Sequence, residues 1–109
     1  MELTRVKLEV FVPEEYLDRV REALVGVGAG CVGAYAECSS AYPVMGTWLP
    51  KAKAQPFEGS VGQLERGSEW KLEMVCPADL AGIAVRTAKD VHPYEEPVVY
   101  VIPLLDNLS

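Results

Sequence analysis

Seven residues, Val-His-Pro-Tyr-Glu-Glu-Pro at 91–97, place an imidazole, a phenol and two carboxylates within a few residues of one another. His92 is the chain's single histidine, so imidazole acid–base or metal chemistry would have to occur there. Several roles are open to it. His92, Glu95 or Glu96, and the distant Cys38 could supply the donors of a divalent metal site. Cys38 as a nucleophile activated by His92, with Glu95 or Glu96 orienting the ring, would form a Cys-His pair. A ligand pocket could draw on His92, Tyr94, Glu95 and Glu96 together with Cys38, Ser39, Gly46 and Thr47. The hydroxyls of Ser39 and Ser40 would then bond a ligand carboxylate or simply turn the chain. The structural alternative is a stiff corner in which His92 caps helix carbonyls and Tyr94 packs at the edge of a protomer.

Catalysis has the weakest support of these. No G-x-S-x-G elbow, phosphate loop or metal-binding helix motif specifies a reaction, so the chain is not expected to be an enzyme. The glycines of GVGAG end a helix instead of opening one, unlike a dinucleotide fingerprint.

The two prolines govern how these groups are held. Pro93 disfavours helical backbone at His92 and Pro97 does the same at Glu96, so 91–97 is a corner of low flexibility between a helix and a strand. At a helix C-terminus the dipole favours imidazolium, and a neighbouring Glu95 or Glu96 would raise the pKa of His92 further. A protonated imidazole is a poor metal ligand.

The elements that must carry this corner follow from periodicity. Residues 4–12 alternate strictly, with Val6, Leu8, Val10 and Val12 on one face and Arg5, Lys7, Glu9 and Phe11 on the other, a half-buried strand. Pro13 with Glu14 and Glu15 opens a helix whose apolar positions are Tyr16, Leu17, Val20, Ala23, Leu24 and Val27, and which Gly28 and Gly30 stop. The stretch CVGAY at 31–35 reads as a second strand. The second half repeats the pattern. Trp70, Leu72, Met74 and Cys76 face one way along a strand, Pro77 opens a helix, and Leu80, Ile83, Ala84, Thr87 and Val91 line one side of it. The stretch PVVYVIPL at 97–104 closes the chain.

Two β-α-β units in tandem predict an α+β, ferredoxin-like sandwich: a four-stranded antiparallel sheet with both helices on one face. The 39–67 connection is too long for a structureless loop and is expected to hide short strands at GTWLP and VGQLE. Its Tyr42, Trp48 and Phe57 fold back on their own domain, anchor a neighbouring subunit or line a pocket between protomers. The second face of the sheet would mix Phe11, Val75 and alternate residues of VVYVI with Lys7, Glu9, Lys71 and Glu73. That mixture predicts a homo-oligomer in which crossed strands bury the apolar positions and the charges pair.

With 109 residues, the chain makes one domain, 1–109. Ten basic against sixteen acidic side chains leave a net charge of −6, which disfavours nucleic acid and anionic lipid as partners. The start, MELTRVKLEV, reads as neither a signal peptide nor a membrane span, so a cytoplasmic location is expected. Cys31, Cys38 and Cys76 contain no C-x-x-C pair and are expected to be reduced thiols, Cys76 inside a core.

Three motifs in order, GAGCVGAYAECS at 28–39, GTWLP with AQPFEGSVGQLE at 46–65, and HPYEEP at 92–97, resemble the insertion domain of the NGG-interacting-factor-like (YqfO-type) dinuclear-metal proteins. The resemblance covers essentially the whole chain. It implies a PII-like or CutA-like fold and trimeric association. The two metals of those proteins sit in a core flanking this domain, and neither flank is present, so the dinuclear site and its hydrolase activity are not carried over. Members commonly have His-Cys-Ser-Phe where this chain has Glu37, Cys38, Ser39 and Ser40, which removes one imidazole from any metal set. The resemblance implies a small oligomeric binding or regulatory module, its ligand held between subunits by the 38–62 connection of one and the 92–96 corner of the next. The alternative is a divalent-metal-binding protein of the CutA, metal-tolerance type.

Overall fold

The computed structural model describes residues 3–57 and 59–105. Strand β1, Arg5–Val12, leads through Pro13 and a single 3-10 turn into helix α1, Leu17–Gly26. Strands β2, Ser40–Trp48, and β3, Glu65–Pro77, form a long hairpin. A second 3-10 turn opens helix α2, Ala81–Val91, and β4, Val99–Pro103, ends the fold. The sheet is antiparallel in the order β2-β3-β1-β4, the predicted α+β, ferredoxin-like arrangement.

Alternation along the strands builds the core. Val6, Leu8, Val10 and Val12 of β1 and Leu72, Met74 and Cys76 of β3 are buried against Val20 and Leu24 of α1 and Ala84 and Ala88 of α2. Each fully buried Leu or Val contributes roughly 1.5–3 kcal/mol of burial free energy. The second helix follows the sequence expectation in part, with Leu80, Ala84 and Val91 packed on the core. Ile83, however, is 44% exposed and Ala88 is buried, so that Ala84 and Ala88, one turn apart, face the sheet. Alanine at these positions lets α2 lie close to the strands.

Two strand assignments change. The stretch 31–35 is no strand but a small exposed loop closed by paired bonds between Val32 and Tyr35 at 2.8 and 2.9 Å. It leaves the sheet after Gly30, whose N–H donates to the Val75 carbonyl, and returns at Cys38, whose N–H donates to the Gly30 carbonyl. Gly33 and Glu37 turn the chain with positive φ. Of the expected short strands in the connection, Gly46–Trp48 is the end of β2, whereas 61–64 belong to no strand and only Glu65 opens β3. Only 49–64 remains outside them.

The hairpin outruns its neighbours. Pairing of β1 with β3 ends at Val12 opposite Trp70, whereas β2 and β3 stay paired out to Trp48 and Glu65. The result is a projecting two-stranded arm, with Met45 71%, Leu49 52% and Leu64 58% exposed around it.

Candidate functional site

The corner is built by its prolines and by one buried ring. His92 terminates α2 in extended backbone, φ −82° and ψ 141°, as Pro93 requires. Its ring is buried, 8% exposed, and both nitrogens are engaged by backbone. The Tyr94 N–H donates to Nδ1 at 3.2 Å, so Nε2 carries the hydrogen that it donates to the Phe11 carbonyl at 2.6 Å. His92 is therefore a neutral strut between the corner and the end of β1. Burial pushes its pKa below the usual histidine value, outweighing the Phe11 hydrogen bond and the charge of Glu69, which pull the other way. This corrects the expected imidazolium. Glu95 is turned to the backbone of the connection, and the ring bonds a strand carbonyl instead of capping its helix.

Tyr94 extends the strut outward. Its hydroxyl donates to Glu69 Oε2 at 3.1 Å, its ring lies 4.6 Å from that of His92 and 5.9 Å from that of Phe57. Glu95 Oε1 accepts the Gln55 N–H at 2.9 Å. The expected pocket joined the connection of one subunit to the corner of the next, whereas the corner grips the 49–57 segment of its own chain, the fold-back alternative for Phe57. Together they enclose an open cleft of about 800 Å³. Phe11, Trp48, Phe57 and Tyr94 supply apolar wall, Lys51 and Lys53 stand on the connection, and Glu95 and Glu96 stand on the corner. An apolar pocket with a few charged groups of both signs has the form of a small-molecule site.

No protein-family model matches the chain. It is 39% identical over 98 residues to a GTP cyclohydrolase 1 type 2 homolog of Bacillus subtilis, covering 90% of this chain and 26% of that protein. The chain therefore spans about a quarter of the length of the curated relatives it matches. A solved Bacillus cereus protein related to NIF3 superposes with a TM-score of 0.83 at 35% identity, over 95% of this chain and 26% of that one. The PII-like protein CutA from Nostoc superposes with a TM-score of 0.70 at 21% identity, over 95% of this chain and 85% of that one. The fold is CutA-like. Similarity to the NIF3-related proteins and to CutA thus runs over nearly the whole chain, in line with the fold that its three motifs imply.

Within the CutA-like fold the residues singled out by sequence fall into two places. Thr47, Tyr94, Glu95 and Glu96 line the cleft. Gly46 lies beside it on β2, where an added Cβ would stand 2.8 Å from Glu69 Oε1. Cys38 and Ser39 lie toward the other end of β3. Cys38 is tied through Gly30 to Val75, whereas the Phe11 carbonyl that holds His92 is opposite Lys71, about 13 Å away along the strand. His92, Glu95 and Cys38 are therefore not gathered, and among the described residues no group of three His, Cys, Asp or Glu side chains is placed to hold a metal ion. The Cys38–His92 nucleophile pair is not assembled either. Sequence reasoning missed Phe11, Lys51, Lys53 and Glu69. Lys-x-Lys between Pro50 and Pro56 was a readable signal, but Phe11 and Glu69 are ordinary members of alternating strands.

The face of the CutA-like sheet away from the helices carries a compact ion network. Glu9, 7% exposed, bonds Lys7 at 3.0 Å and Lys71 at 3.2 Å, and Glu73 lies 3.5 Å from Lys7 and 3.7 Å from Lys71. Tyr42 donates to Glu73 at 3.0 Å. Burial raises the Glu9 pKa, but the two lysine hydrogen bonds outweigh it and hold the carboxyl below its ordinary value. The charges expected to pair between subunits pair within one chain. Around them Tyr42, Val98 and Tyr100 stay 39–53% exposed.

Proposed function

We propose that this protein is a small homo-oligomeric, non-catalytic binding module whose ligand occupies the cleft between the 92–98 corner and the 49–57 connection. One observation carries the reading. Segments far apart in sequence are tied together by the Gln55–Glu95 bond, the Phe57–Tyr94 contact and the His92 strut around an apolar cleft with lysines on one side and carboxylates on the other. A purely structural corner has no use for an open cleft of that size.

Oligomerisation is supported by the sheet's outer face, where a self-neutralised ion network is ringed by exposed aromatic and aliphatic side chains, and by the unsupported arm. A two-stranded ribbon is marginal alone in water, and a second copy would cover it. A trimer is the association that the CutA-like fold suggests. Leu49, lining the cleft and following Trp48 at the far end of the arm, then puts the neighbour beside the cleft. The protein is taken to act in the cytoplasm; among the described residues no helix is long and apolar enough to cross a membrane.

The test is a thermal-shift screen of small metabolites bearing both an apolar group and a charge. A compound present at about 100 times its Kd stabilises the folded state by roughly 2.7 kcal/mol, enough for a clear rise in Tm. Phe57→Ala abolishes the shift. A screen in which nothing moves the wild-type Tm overturns the reading.

A further inference from the structure

The cleft between the corner and the connection carries charges of both signs that do not pair with one another. Lys51 and Lys53 stand on the connection, Glu95 and Glu96 on the corner. Among the described residues, neither lysine makes an ion pair or a side-chain hydrogen bond, and Glu96 makes none either. Glu95 accepts only the Gln55 backbone N–H, on Oε1 at 2.9 Å, so its charge is left without a cation. The outer face of the sheet behaves differently. There Lys7, Lys71, Glu9 and Glu73 neutralise one another at 3.0–3.7 Å.

Beside these charges the lining of the cleft is mostly apolar. Phe11 lies opposite Lys71 on β3 and Trp48 lies opposite Glu65. Those two partners are an even number of positions apart, so Phe11 and Trp48 rise from the same face of the sheet, the one turned away from the helices. Phe57 reaches the cleft from the connection and packs on Tyr94, with ring centroids 5.9 Å apart. The backbone that carries both sets of charges is ordered before a ligand arrives. Pro93 and Pro97 stiffen the corner, His92 ties it to the Phe11 carbonyl at 2.6 Å, and the Gln55–Glu95 bond ties the connection to it. Order of this kind lowers the entropic cost of binding.

A ligand of one sign fits half of this cleft. A simple anion gains from Lys51 and Lys53 but meets Glu69, Glu95 and Glu96 on a chain of net charge −6. A simple cation gains from the carboxylates and meets two lysines. A neutral apolar molecule leaves the charges on both sides without partners. We infer that the ligand is a small apolar zwitterion, an amino acid or short peptide with both ends free. Its carboxylate lies on Lys51 and Lys53, its ammonium on Glu95 and Glu96, and its apolar side chain against Phe11, Trp48 and Phe57. The inference rests on the reading of this cleft as a ligand site and adds the class of ligand.

A matched series titrated into the full chain by calorimetry tests it. L-Phenylalanine and L-alanyl-L-phenylalanine carry both charges at two lengths, 3-phenylpropanoate lacks the ammonium, and 2-phenylethylamine lacks the carboxylate. The expected result is saturable binding of at least one zwitterion, with each singly charged analogue weaker by about fivefold or more. Lys51→Ala combined with Lys53→Ala weakens that zwitterion about fivefold or more and leaves 2-phenylethylamine unchanged. Glu96→Gln weakens the zwitterion and leaves 3-phenylpropanoate unchanged. All three positions are exposed, so the variants keep the fold. The inference is overturned if neither zwitterion binds, if a singly charged analogue binds as tightly as the zwitterions, or if the variants bind them as the wild type does. A singly charged compound that binds best, and loses its binding with Phe57→Ala, ends the zwitterion while the cleft stands as a ligand site.

Discussion

His92 shows how a residue suited to chemistry can be spent on architecture. Both ring nitrogens are satisfied by backbone groups, and protonation would turn Nδ1 from acceptor into donor and set it against the Tyr94 N–H. The folded state therefore favours the neutral ring, in keeping with its lowered pKa. The sign follows from linkage. The unfolded chain binds the proton more readily, so the stabilisation is complete above the ordinary value of 6.5 and is lost as pH falls below it toward the folded-state pKa. Urea denaturation between about pH 5 and 8 should show wild-type stability dropping on the acid side, with His92→Gln removing that component of the slope. An identical slope in the variant would refute the strut. The dipole and the adjacent carboxylates, legible in the sequence, suggested the opposite shift. Burial reversed it, and no local pattern announces that the end of β1 will cover this ring.

At the scale of elements, strand alternation was readable because one face is buried: Val6, Leu8, Val10, Leu72 and Met74 are all inside, as their spacing predicts. Helix phase was less secure in α2, where apolar Ile83 points outward and small Ala88 points in. Thermal unfolding should separate the two kinds of position. Leu24→Ala, at 1% exposure, is expected to cost about 2–5 kcal/mol, and Ile83→Ala less than about 1 kcal/mol. Equal losses would mean that the helix sits in the other phase. The segment 31–35 misled for a different reason. Val32 and Tyr35 are strand formers, but the Gly30 N–H donates to the Val75 carbonyl and the Cys38 N–H to the Gly30 carbonyl, leaving the stretch between them to loop outward.

For the whole molecule, the proposed assembly turns on the arm. The chain extends 49 Å along its long axis and 22 Å along its short one, and the hairpin is what lengthens it. Met45 and Leu64 are exposed there with no core of their own chain to enter. Under the proposed oligomer, charges at these two positions, as in Met45→Lys with Leu64→Lys, should yield monomers by light scattering at micromolar concentration while leaving the helical signal in circular dichroism. A wild-type protein that is already monomeric under those conditions would end the oligomer reading.

Periodicity, proline placement and internal repetition were enough to specify β1, β3, β4, both helices and the stiff corner between α2 and β4, because alternation is a local consequence of burying one face, but they set the second strand at 31–35 and not at Ser40–Trp48. They were also enough to mark Tyr94, Glu95, Glu96 and Thr47 as neighbours worth watching. Which marked residues meet was a matter of long-range packing. The connection folds back onto its own corner, Cys38 and Ser39 are carried toward the far end of β3, and Trp70 meets Glu14 where β1 leaves the sheet. Contacts between residues 40 or more positions apart, such as Gln55 with Glu95 and Trp70 with Glu14, depend on how the finished layers stack, and only the folded chain brings those partners together.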